Sequence, residues 1–110
     1  MTEVEQNIAI AECCGWKRVD TGFGFVWEAK GNELEPPNYV RSLDAMHVAE
    51  GFIPESLHTL YNGILIRLTK SYVQLYYDGV TSSMVEHFKI IHATAAQKAE
   101  AFLKVFNKWV

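Results

Sequence analysis

Between His92 and Trp109 the chain is written for an amphipathic helix with a defined start. Thr94 and Gln97 have capping-box spacing: the hydroxyl accepts from a free N–H of the first turn, and the amide reaches back to the N–H of the cap residue. Behind that start, Ala95, Ala99, Phe102, Leu103 and Phe106 fall on one helical face, and Lys104 and Lys108 lie near the C-terminal end, where cations complement the helix dipole. An apolar face of this kind is buried against something. With 110 residues the chain supports one core, so the remaining segments have to supply the partner layer, and the spacing predicts a C-terminal helix packed on a sheet.

The other segments alternate in type. Thr2 and Glu5 repeat the capping-box spacing, followed by Val4, Ile8, Ala11 and Cys14 on a helical stripe and by Gly15 as a stop, which predicts a helix over roughly residues 3 to 14. Trp16 to Val19 and Phe23 to Ala29 are aromatic and β-branched runs joined by Asp20-Thr21-Gly22, a hairpin pattern. Lys30 to Asn38 is polar, with Gly31 and the pair Pro36-Pro37, and reads as a surface loop. Ser42 caps a short helix through Leu43, Met46 and Val48 to Gly51, with Asp44 favourably placed in its first turn. After Pro54, Leu57, Leu60, Tyr61, Ile64, Leu65 and Leu68 fit a helical face to about Asn62, while residues 63–69 suit either helix or strand. Residues 72–77 and 87–92 have strand character. The expected fold is α+β: a single layered domain over residues 1–110, with a small, mostly antiparallel sheet and about three helices.

Composition removes several function classes. Hydrophobic residues make up 49% and charged residues 21%, as in a globular domain rather than a disordered chain. A net charge of −3 and a pI near 5.8 disfavour a binder of nucleic-acid polymers, which needs a basic surface to displace counterions. Cys13 and Cys14 are adjacent and close no loop, so they staple nothing. Without a charged-then-apolar leader or a long apolar run, the expectation is a chain of a reducing cytoplasm, neither secreted nor membrane-spanning.

Chemistry-bearing residues are sparse. Asp44, His47 and Glu50 at i, i+3 and i+6 have a spacing that suits metal ligands, but a solvated helix face explains them better, and no metal or cofactor is expected. His58, His87 and His92 pair with nothing convincing, and Ser82, Ser83, Cys13 and Cys14 lack a nucleophile signature. Gly22-Phe23-Gly24 lacks the third glycine and following helix of a phosphate loop. Aromatic residues are plentiful, and alternation puts Phe23, Phe25 and Trp27 on one strand face and Tyr76 opposite Tyr77, so some rings are expected at the surface. Exposed Trp, Tyr and Arg suit recognition, which makes Trp27, Tyr39, Arg41, His47 and Tyr76 the candidate binding residues.

Ile8-Ala9-Ile10-Ala11-Glu12-Cys13-Cys14-Gly15-Trp16, Leu43-Asp44-Ala45-Met46-His47-Val48-Ala49-Glu50 and the block from His92 through Trp109 also occur in an order that resembles the phage α-β-α sandwich domain family. These are small bacteriophage and prophage proteins, largely without assigned function. The resemblance implies a viral origin, an accessory role in the cytoplasm of an infected host bacterium, and no catalytic residue. Residues 22–37 and 69–85 depart from the family pattern and are where specificity is expected, since loops on a rigid scaffold commonly carry binding. The leading expectation is a non-enzymatic protein that binds a host component, such as a bacterial anti-phage defence protein, through the hairpin, the Pro36-Pro37 loop and nearby aromatics. The alternative is a sponge for a nucleotide immune signal, with aromatic rings and Arg41 or Arg67 enclosing the ligand at the interface of a homo-oligomer. A small enzyme is the third reading.

Overall fold

A computed structural model describes residues 1–69 and 93–110. Helix α1 spans Glu3–Cys13 and carries the expected capping box: Thr2 Oγ1 accepts from the Glu5 N–H at 3.1 Å, and Glu5 Oε1 accepts from the Thr2 N–H at 3.1 Å. Its C-terminal end closes at Cys14, and Gly15 follows at φ +90°, a backbone conformation that glycine adopts without a Cβ penalty. The buried stripe is rotated from the expected one. Ile10, Ala11 and Cys14 are buried, whereas Val4 is 66% exposed and Ile8 only half-buried.

Strands β1 (Arg18–Asp20) and β2 (Phe25–Trp27) pair antiparallel with Arg18 opposite Trp27, Val19 opposite Val26 and Asp20 opposite Phe25. Both are shorter than the aromatic runs suggest, and the ladder continues through single hydrogen bonds at Lys17–Glu28 and Thr21–Gly24. After a loop with a Lys30–Glu33 bridge, a 3-10 turn at Tyr39–Arg41 leads into α2 (Leu43–Glu50), whose N-cap is Ser42, its Oγ accepting from the Ala45 N–H at 3.1 Å. A second 3-10 turn, Glu55–Leu57, runs into α3, His58–Thr69. Residues 63–69 are therefore helix. Helix α4, Ala95–Val105, begins with the second capping box, Thr94 with Gln97.

The architecture is α+β in a single small domain, with four helices and one two-stranded antiparallel sheet among the described residues. Helix α4 is its centre. Ala99, Ala101, Phe102 and Leu103 are fully buried, and the helix packs against α1, α2, α3 and the Tyr39–Arg41 turn. The expected seat on a sheet is thus filled, among the described residues, largely by other helices. The strands expected at 72–77 and 87–92 lie outside the described residues.

Ion-paired and hydrogen-bonded side chains tie the layers together. Glu50 on α2 accepts from the Tyr61 hydroxyl at 2.7 Å on α3 and from Lys98 Nζ at 3.3 Å on α4. Asn7 on α1 clasps the loop that precedes α2: its Nδ2 donates to Asn38 Oδ1 at 2.9 Å, and its Oδ1 accepts from the Val40 N–H at 3.1 Å. That clasp holds the Pro36-Pro37 loop against α1.

Candidate functional site

Two clefts lie on either side of the loop that ends at Asn38. The larger, of about 710 Å³, is lined by Trp16, Lys30, Tyr39, Asp44 and Phe52 among others, and Pro37 contributes to its wall. Lys30 is its most distinctive group. Its ammonium donates to the Cys14 carbonyl at the end of α1 and stands 4.8 Å from the centre of the Phe52 ring and 5.8 Å from that of Trp16. No carboxylate among the described residues pairs with it, and the aromatic faces and the helix-end carbonyl hold its charge. Sequence reasoning passed over Lys30 because its partners are brought together only by folding.

The smaller cleft, of about 380 Å³, lies between the hairpin, α1 and the proline loop, with Phe25, Trp27, Pro36 and Pro37 facing Val4 and Ile8. Phe25 and Trp27 meet edge to face at 5.3 Å, and Trp27 meets Trp16 at 6.3 Å in the same manner. This ring chain anchors the hairpin to the core through the buried Trp16. Phe23, expected on the same face, instead occupies the turn and is fully exposed, while Val19 and Val26 pair on the opposite face at 46% and 53% exposure.

The five candidate binding residues are not gathered into one place. Trp27 is half-buried and lines the smaller cleft. Tyr39, at 3% exposure, is a core residue rather than an exposed ring, because the 3-10 turn folds Tyr39 and Val40 inward and leaves only Arg41 outside, and it contributes to the wall of the larger cleft. Burial raises its phenol pKa, and the neighbouring Cys14 thiol adds to the effect. Arg41 is exposed and bound to Glu3 Oε1 at 2.6 Å, away from both clefts. His47 projects from α2 with its side chain 86% exposed, 3.8 Å from Glu50. Tyr76, with His87, His92, Ser82 and Ser83, lies outside the described residues.

Asp44, His47 and Glu50 do not converge. Asp44 faces the larger cleft while Glu50 bridges α3 and α4, and no group of three or more His, Cys, Asp or Glu side chains comes together among the described residues. Cys13 and Cys14 are free thiols at the end of α1; burial pushes Cys14 up to about 11, which keeps it protonated and unreactive at neutral pH. His58 is engaged with the Ile53 carbonyl at 3.0 Å, a local contact at the start of α3. No helix among the described residues is long and apolar enough to cross a membrane.

The class defined by this geometry is a small α+β domain with aromatic surface clefts. No family model, no curated protein and no solved structure matches the chain.

Proposed function

We propose that this chain is a phage-encoded, non-enzymatic binding protein of the host bacterial cytoplasm, an inhibitor of an anti-phage defence protein, and that the hairpin and proline loop make the contact. One observation carries the reading: Phe25 and Trp27 share a cleft with Pro36 and Pro37, beside a fully exposed Phe23. Rigid aromatic anchors beside a groove are the usual energetic centre of a protein interface. The family resemblance supports the viral setting. Infection assays in bacteria carrying different defence systems test the role: expression of the chain restores phage growth in one of these hosts, and Phe23→Ser, a change at a fully exposed side chain, removes the effect while leaving the melting temperature of the protein within a few degrees. Absence of rescue in every host tested sinks the proposal.

The nucleotide-sponge reading keeps one specific support. The 710 Å³ cleft has the size of a small-molecule site and holds an ammonium over two rings, so Lys30 takes the role expected of Arg41 or Arg67. Arg41 is committed to Glu3, and Arg67 lies on the exposed side of α3. Thermal-shift measurements against cyclic and ADP-ribose-type nucleotides separate the readings, since a ligand that binds only the folded state raises the melting temperature. Recovery of altered nucleotide in place of intact ligand points to the small enzyme.

A further inference from the structure

The outer edge of β1 has no strand partner among the described residues and is self-complementary. Thr21 with Gly24 and Lys17 with Glu28 are hydrogen-bonded pairs of the hairpin ladder. Alternation makes Val19 with Val26 another, so the backbone N–H and C=O groups of Arg18 and Asp20 point away from β2. No hydrogen bond to these groups is present among the described residues. Strands of three residues joined as a two-stranded ribbon are marginal alone, and this one leaves Val19 and Val26 about half exposed on one face.

We infer that β1 pairs antiparallel with β1 of a second copy of this chain, across a twofold axis at Val19. In that register Val19 faces Val19, Arg18 faces the second copy's Asp20, and Asp20 faces the second copy's Arg18. The outward backbone groups of Arg18 and Asp20 then close the ladder, each facing pair exchanging both of its N–H···O bonds. The opposed charges lie on the same sheet face, where directly facing side chains of opposite sign attract and like charges repel.

Charge selects a second copy as the occupant. A strand that fits this edge needs an acid opposite Arg18 and a base opposite Asp20 at antiparallel spacing, and β1 itself meets that condition. The alternative edge, along Phe25-Val26-Trp27, offers no charge register and adjoins the proline-loop cleft. Arg18 is held only by surface contacts, its pairing with Glu12 at 3.3 Å, with both side chains 44% exposed, and its guanidinium 5.2 Å from the centre of the Phe25 ring, the kind that contribute little and rearrange readily. The Asp20 carboxylate accepts from the Gly22 N–H at 2.9 Å through Oδ1 and keeps acceptor capacity for a partner. The resulting sheet has the order β2-β1-β1-β2, which places the Val19–Val26 pairs of both copies side by side and leaves the Phe25–Trp27 cleft open. An isologous contact of this kind closes on itself rather than growing into a filament.

Analytical ultracentrifugation of the full chain over a concentration series tests the inference. The expected result is a monomer–dimer equilibrium that Arg18→Asp and Asp20→Arg each weaken by roughly tenfold or more, because each places like charges opposite one another twice across the axis. An equimolar mixture of the two variants regains association, since every facing pair is then Asp with Arg. A wild-type chain that stays monomeric throughout overturns the inference, as does association indifferent to both substitutions or a mixture that fails to recover. Val19→Cys keeps both charges and guards against a folding defect in the charge variants. It cross-links to a disulfide dimer under mild oxidation, beyond any cross-linking of the wild-type chain, and failure to do so also counts as refutation.

Discussion

Phe102 and Phe23 are the same residue type with opposite environments, one fully buried in α4 and the other fully exposed at the hairpin turn. Phe102→Ala is expected to lower the unfolding free energy by about 3–5 kcal/mol, and Phe23→Ala to change it by no more than about 0.5, as measured by urea denaturation. The fate of Phe102 was legible because helical spacing ties it to Ala99 and Phe106; that of Phe23, between Gly22 and Gly24, was not, since strand alternation and a turn tip fit those residues equally well. The burial of Tyr39 was hidden for a related reason: a residue following a proline loop looks exposed until the 3-10 turn rotates it beneath α1 and α4. Its burial, with that of Cys14 and Tyr61, has a pH consequence. All three groups are held above their ordinary pKa, so between the unfolded and folded values the native state binds more protons and stability falls as pH rises. For Cys14, whose value moves from 9.0 to about 11, a contribution of roughly 2–3 kcal/mol is complete below pH 9 and lost by about pH 11. Urea titrations at pH 8 and pH 10.5 are expected to show that loss, reduced in Cys14→Ala.

Helix boundaries are local chemistry. Thr94→Ala removes the hydroxyl that caps α4 at 3.1 Å and is expected to destabilise the fold by about 1 kcal/mol, while Thr94→Ser retains most of it, both read from thermal or urea unfolding. Gly15→Ala places a Cβ on a backbone at φ +90° and is expected to cost about 1–2 kcal/mol, although Lys30 Nζ at 3.7 Å leaves room for the methyl group. Caps and stops at Thr2, Gly15, Ser42 and Thr94 could be read directly, because each depends on a few adjacent residues. The rotation of α1 could not. Ala11 and Cys14 belong both to the expected stripe with Val4 and Ile8 and to the observed one with Ile10, and the choice between them lies with α4 and the Tyr39–Arg41 turn, which pack on the second.

For the molecule as a whole, burial among the described residues is concentrated where α4 meets the other helices, and the hairpin is attached there mainly through the Trp16–Trp27–Phe25 ring chain. Native-state hydrogen exchange is therefore expected to find the slowest amides in α4 and the last turns of α1, with those of β1 and β2 exchanging orders of magnitude faster in dilute protein, as expected for a segment with few buried contacts. Equal protection throughout would contradict this division. The α+β class, the helix starts and the aromatic hairpin followed from the sequence alone, because period, capping and turn chemistry act over a few residues. The clefts, the inward turn of Tyr39, the placement of Lys30 over Trp16 and Phe52, and the bridging of Glu50 to Tyr61 and Lys98 were decided only by tertiary structure, because each depends on groups distant in sequence meeting through the packing of α4.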